Sequence, residues 1–165
     1  MNSTEFQQLK EDGFTGFKTV KELKCDMSSV PAHKGVYVVL RENDGEPKFV
    51  ETGTGGFFKK KNPNASIAEL NKNWLEDSSI MYMGKAGGQN NNATLNSRLE
   101  QYMKFGKGQP IGHWGGRYIW QLEDADELVV CWKEMEEDPR EVEKRMIEEF
   151  KNLHGGCRPF ANLRD

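Results

Sequence analysis

Gly35-Val36-Tyr37-Val38-Val39-Leu40-Arg41 is the stretch on which the reading of the fold turns. Its β-branched and aromatic residues follow a glycine and run into Glu42-Asn43-Asp44-Gly45, a turn signal, so it reads as a strand apolar on both faces. Beyond the turn, Lys48-Phe49-Val50 reads as a short partner strand. Thr52-Gly53-Thr54-Gly55-Gly56-Phe57-Phe58-Lys59-Lys60-Lys61 is too glycine-rich for regular structure. Ile67, Leu70, Trp74 and Leu75 then recur near a 3.6-residue period and predict a helix over about 65–76. Ile80-Met81-Tyr82-Met83-Gly84 reads as a second buried strand. After the Gly87–Asn92 loop, Thr94 can cap a helix whose Leu95, Leu99, Tyr102 and Met103 share a face and which should end before Gly106. Leu128-Val129-Val130-Cys131-Trp132 is a third strand, and Pro139 occupies the first turn of a closing helix. This order is mixed α and β, with no internal repeat and no dividing linker.

The chain has 165 residues, 36% hydrophobic and 30% charged, which fits one domain with one real core. Its apolar runs fall far short of the roughly 20 residues needed to cross a bilayer. The polar start, Met1-Asn2-Ser3-Thr4-Glu5, lacks a secretory pattern, so a cytoplasmic protein without membrane partners is expected. Cys25, Cys131 and Cys157 are odd in number and widely spaced, as reduced thiols would be. The net charge of −3 conceals a segregation. Ser79 to Tyr118 holds five basic residues against Glu100 alone, whereas Glu123 to Glu149 holds twelve acids against four bases. Because polyanion affinity comes from local Lys and Arg, the basic middle keeps nucleic acid in view as a partner.

On the closing helix Val142, Met146, Ile147, Phe150 and Leu153 form an apolar stripe, and Glu143 falls inside it. A carboxylate so placed needs a partner: a salt bridge, or a metal ion or acid–base role. Arg98 and Tyr102 are i and i+4 neighbours on one helix face, either gripping a phosphate or simply packed guanidinium on ring. The glycine clusters at 53–56 and 84–88 match neither phosphate-cradling motif. His33, His113 and His154 have no metal-ligand spacing; His113 opens His113-Trp114-Gly115-Gly116-Arg117-Tyr118 in the basic segment.

In order along the chain, Gly35-Val36-Tyr37, Tyr82-Met83-Gly84-Lys85-Ala86, Arg98-x-x-x-Tyr102, Glu143 and Pro159-Phe160-Ala161-Asn162 resemble the GIY-YIG nuclease superfamily. The resemblance covers about residues 35–162. It departs from the family pattern in a long insertion at about 42–78, in Met83 at the middle of the second signature, and in a long gap between Glu143 and Asn162. It implies an α/β (α+β) domain over 35–165, a central three-stranded antiparallel sheet flanked by helices, with residues 1–34 packed on it as an N-terminal extension.

The activity it implies is metal-dependent endonucleolytic hydrolysis of phosphodiester bonds in nucleic acid, DNA foremost. Tyr82, with Lys85 lowering its pKa, would be general base or position the water, and Tyr37 would hold the same water or the phosphate. Arg98 would meet the phosphoryl charge with its planar fork. Glu143 would bind one Mg²⁺ or Mn²⁺, with Tyr102 and Asn162 in support. His113 and Arg117 are added as substrate contacts from the basic segment alone, not from the resemblance. Two other classes stand beside this one: a nucleic-acid-binding or regulatory module that has lost turnover, and a protein-interaction domain using the acidic 123–149 stretch. An oligomer is not indicated, although cutting both strands with one site would need a dimer or sequential nicks.

Overall fold

The computed structural model describes residues 3–164. In chain order these form α1 (Ser3–Glu11), β1 (Thr15–Thr19), α2 (Val20–Cys25), β2 (Gly35–Leu40), α3 (Ile67–Asn73), β3 (Ile80–Ala86), α4 (Leu95–Gly106), β4 (Val129–Glu134) and α5 (Pro139–Leu153), with short 3₁₀ turns at Arg117–Gln121 and Ala125–Glu127. The four strands make one antiparallel sheet in the order β1-β4-β2-β3. The protein is therefore mixed α and β, but the sheet has four strands where three were expected. The additional strand, β1, comes from the N-terminal segment, which thus completes the sheet edge as well as packing on it.

Every residue of β2 is buried, because the strand lies inside the sheet and is covered on both faces. Tyr37 and Val39 face a core completed by α2, α4 and the 3₁₀ turns, through Leu23, Leu99, Phe105 and Trp120 among others. Val36, Val38 and Leu40 face a second core closed by α1 and α5, through Leu9, Ile147 and Phe150. The stripe of α5 stops short of its expected length: Leu153 is 80% exposed.

Helix starts follow the capping chemistry. Thr94 accepts from the Ser97 amide while the Ser97 side chain accepts from the Thr94 amide, and Asp138 accepts from the Arg140 amide ahead of Pro139. Side-chain caps of this kind each contribute about 1 kcal/mol. The predicted 65–76 helix is only Ile67–Asn73, and α4 runs on through Gly106, which accommodates the Trp120 ring in the space a Cβ would take. Lys48-Phe49-Val50 forms no strand; Phe49 makes a single bridge to Leu122.

The insertion is tied down at both ends. Arg41, buried at the close of β2, donates to Asp124 at 2.9 Å and to the carbonyls of Asn43 and Gly45, and its guanidinium lies 5.2 Å from the Trp74 ring. Trp74 in turn packs on Phe49 and Phe160. Among the described residues no helix is long and apolar enough to cross a membrane.

Candidate functional site

Strand register decides which side chains can meet. Tyr37 pairs with Gly84 and Val39 with Tyr82, so both tyrosines stand on one face of the sheet. Both signature glycines are required by close approach. A Cβ on Gly84 would run into the Tyr37 ring, and one on Gly35 would run into the Lys133 carbonyl of β4. Across the bare position 84 the Tyr37 and Tyr82 rings come to 6.1 Å between centroids, and Tyr102 from α4 completes the group at 6.3 and 5.6 Å.

His113 stacks on Tyr102 at 4.0 Å, nearly parallel. Its Nδ1 faces the Gly115 carbonyl at 2.9 Å, and a carbonyl only accepts, so Nδ1 carries the proton. Burial and the Arg98 charge push this imidazole down to about 3, which leaves it neutral with Nε2 bare. The Tyr37 hydroxyl donates to that Nε2 at 2.8 Å. The Tyr102 hydroxyl donates to the Gly116 carbonyl at 2.7 Å. Gly116 has φ +79° and no room for a Cβ, which would crowd both Tyr102 and Tyr82; only glycine meets both conditions.

All three tyrosines are held protonated, burial being the main cause. Tyr37 and Tyr102 lie well above the usual phenol range, and Tyr82 is pushed up to about 12, with the Glu143 charge adding to the rise and Arg98 opposing it. This corrects the role expected of Lys85. Lys85 pairs with Val36, on the sheet face opposite Tyr82, and its Nζ lies 3.5 Å from Glu143 Oε1. It neutralises the glutamate and does not lower the tyrosine.

The Glu143 side chain is 15% exposed, and burial raises its carboxyl above the ordinary value against the pull of Lys85 and Arg98. Of the two partners its position called for, the salt bridge is present. Arg98 donates to Gln101 Oε1 at 3.0 Å and to the Gly112 carbonyl at 3.4 Å; among the described residues no carboxylate lies within ion-pair distance of it. Arg98 is hydrogen-bonded to the Gly112 carbonyl next to His113 and Glu143 is paired with Lys85 of β3, and the Arg98 charge opposes, while the Glu143 charge adds to, the rise of both Tyr37 and Tyr82.

The remaining expected residues take other places. Tyr102 is fully buried, so it supports the cluster and grips no phosphate. His113 is fully buried with both ring nitrogens engaged; turning it outward to reach a substrate would sacrifice both bonds, so in place of the expected contact it orients Tyr37. Arg117 donates to the Trp114 carbonyl and lies over the Trp114 and Tyr118 rings at 4.7 and 5.5 Å. Asn162 accepts from the Met83 amide and donates to the Met83 carbonyl, both at 2.9 Å, closing the free edge of β3 beside Tyr82.

Sequence reasoning did not find the Gly115-Gly116 carbonyl pair that fixes His113 and Tyr102. The only signal was the adjacent glycines after His113-Trp114. Among the described residues no three His, Cys, Asp or Glu side chains cluster to hold a metal. A single carboxylate still fits Mg²⁺ or Mn²⁺, because such hard cations keep most of their waters and are often held by one or two carboxylates with substrate oxygens. A cavity of about 590 Å³ opens elsewhere, between Arg41, Trp74 and Asp77, away from the tyrosines. Compared with protein families, curated proteins and solved structures, the chain has no match.

Proposed function

We propose that the protein is a metal-dependent endonuclease of the GIY-YIG type, hydrolysing phosphodiester bonds in nucleic acid, DNA foremost. The observation that carries this reading is the placing, around a pair of tyrosines, of Arg98, hydrogen-bonded to the Gly112 carbonyl next to His113 and outside any ion pair among the described residues, and of Glu143, buried and reluctantly charged against Lys85 of β3. Phosphodiester hydrolysis needs an oriented water, a counter-charge for the phosphoryl oxygens and help for the leaving oxygen. Arg98 provides the counter-charge; its planar fork matches two phosphate oxygens at once. Tyr82 acts as a neutral phenol whose oxygen accepts from the attacking water; the water's proton passes to a phosphoryl oxygen as the new P–O bond forms and the bond to the leaving oxygen breaks. With its hydroxyl near 12, Tyr82 positions water better than it removes a proton at neutral pH. Tyr37, fixed by His113, sets the orientation of the tyrosine pair.

Glu143 would hold the divalent cation, which in competition with Lys85 would neutralise the buried carboxylate and stabilise charge on the leaving oxygen. Lys85 in turn keeps Glu143 compensated when no cation is bound. That same pairing favours a second reading, a nucleic-acid-binding module without turnover, because a compensated carboxylate can persist without a catalytic task. Incubation with supercoiled plasmid, branched DNA and single-stranded RNA in Mg²⁺, Mn²⁺ or EDTA separates the two. The nuclease reading expects nicked or cut product only with metal; binding in a shift assay with no cleavage in either metal would replace it with the second.

A further inference from the structure

The glycine-rich stretch that fits no phosphate-cradling motif has a structural purpose. Gly53, Gly55 and Gly56 have no space for a Cβ: the first lies against the Trp120 carbonyl, the second against the Phe105 ring, the third against the Gln109 carbonyl. Thr54 N donates to the Trp120 carbonyl at 3.2 Å and Gly53 N to Asn64 Oδ1 at 2.8 Å, so this irregular segment is pressed onto the end of α4 and the loop after it. At its tip the chain reverses tightly. Lys61 N donates to the Phe58 carbonyl at 3.0 Å, and Lys59 and Lys60 both take left-handed backbone, φ 52° and 64°. Asn and Gly are the usual residues at two such positions, and lysine there is strained.

The chemistry at this tip is concentrated. Lys59, Lys60 and Lys61 are all exposed, and among the described residues none of them pairs with a carboxylate. Phe57 is 51% exposed beside them, one of only two large apolar side chains so open among the described residues. Phe58 lies over Gly112, the residue whose carbonyl receives Arg98, so the turn stands beside the phosphate-binding end of the site.

We propose that the Phe57–Lys61 turn is a nucleic-acid clamp that directs the site to single-stranded or locally unpaired substrate: the lysines hold backbone phosphates next to the scissile bond, and Phe57 stacks on an unpaired base. Lysines alone would accept any polyanion. The exposed ring beside them selects the strand form, because a base within a duplex has no free face to offer. This inference rests on the nuclease reading of the site and deepens it by naming the substrate form.

The test is binding, read apart from cleavage. The full chain carrying Glu143→Gln is titrated in EDTA against a fluorescent 20-nucleotide thymidine strand and a duplex of equal length, over a series of salt concentrations. Adding Phe57→Ala is expected to weaken single-strand binding by roughly 5- to 100-fold, the usual effect of losing one base stack, and to leave duplex binding within about 2-fold. Adding Lys59→Ala, Lys60→Ala and Lys61→Ala together is expected to reduce the slope of log affinity against log salt by about 2, at roughly 0.7 per phosphate contact. Circular dichroism confirms that the variants keep the fold. Single-strand binding unchanged by either set overturns the clamp while leaving the nuclease reading intact, and equal losses on strand and duplex from Phe57→Ala overturn the strand selection. No binding to either nucleic acid before these changes overturns the clamp and the nuclease reading together.

Discussion

The Tyr37 hydroxyl has one proton, and His113 Nε2 receives it; this bond orders the site. Its cost appears in acid. His113 is held neutral to about pH 3 in the folded chain, whereas an unfolded histidine takes up a proton near 6.5. The folded state then binds fewer protons, so this contribution to stability is complete above pH 6.5 and is lost as pH falls toward 3, on the order of 5 kcal/mol in all. Thermal unfolding followed between pH 7 and 4 should fall steeply, and the slope should flatten in His113→Gln, which does not titrate; equal slopes would contradict the assignment. Glu143 has the opposite sign. Its raised carboxyl binds a proton more tightly folded than unfolded, so this contribution is full below the ordinary glutamate value and is lost as pH rises from there through the raised folded one. Glu143→Gln should therefore melt at a higher temperature than the parent at pH 7–8, and the gap should close below about pH 4. Glu143 could be picked out in the sequence because its position on α5 conflicted with the apolar stripe. The role of His113 could not, since it depends on a contact across 76 positions and on two backbone carbonyls.

At the scale of elements, β2, β3, β4, α4 and α5 were legible because each has its own signal: apolar runs rich in β-branched and aromatic residues, Thr94 before an apolar face, Pro139 in the first turn of α5. β1 was not. Thr15-Gly16-Phe17-Lys18-Thr19 is polar, glycine-bearing and broken by a bulge, with Phe17 at φ 54°, and it becomes a strand only because β4 offers a free edge. The same dependence on neighbours explains why Lys48-Phe49-Val50 stays out of the sheet: β3 already occupies that side of β2. One close contact between elements is Gly84 under the Tyr37 ring. Gly84→Ala should cost about 1–3 kcal/mol as the ring is displaced, and should lower activity beyond what the loss of folded protein explains. Urea unfolding together with specific activity per folded molecule measures both; an unaltered midpoint would show that the ring moves freely.

For the whole molecule, charge and insertion act together. The lysines of 59–61 belong to an insertion whose glycines press against Phe105 and Gln109 of the basic 79–118 segment and against Trp120 just beyond it, while twelve acids fall in 123–149. Average charge hid this, as it must when opposite patches cancel; its order along the chain did not. What the sequence could not convey was that the long insertion, α3 and Trp74 included, is clamped to the domain by Arg41 and Asp124. Glu143 stands at the centre of the account, buried at a cost to stability beside protonated tyrosines and an arginine that, among the described residues, is outside any ion pair. The most direct test is the rate of Mg²⁺- or Mn²⁺-dependent cleavage of a labelled DNA strand by the parent chain and by Glu143→Gln. The account predicts cleavage by the parent, abolished by EDTA, and a loss of at least about 100-fold in the variant, in line with losing a metal-ion interaction worth several kcal/mol; cleavage retained by a folded Glu143→Gln would contradict it.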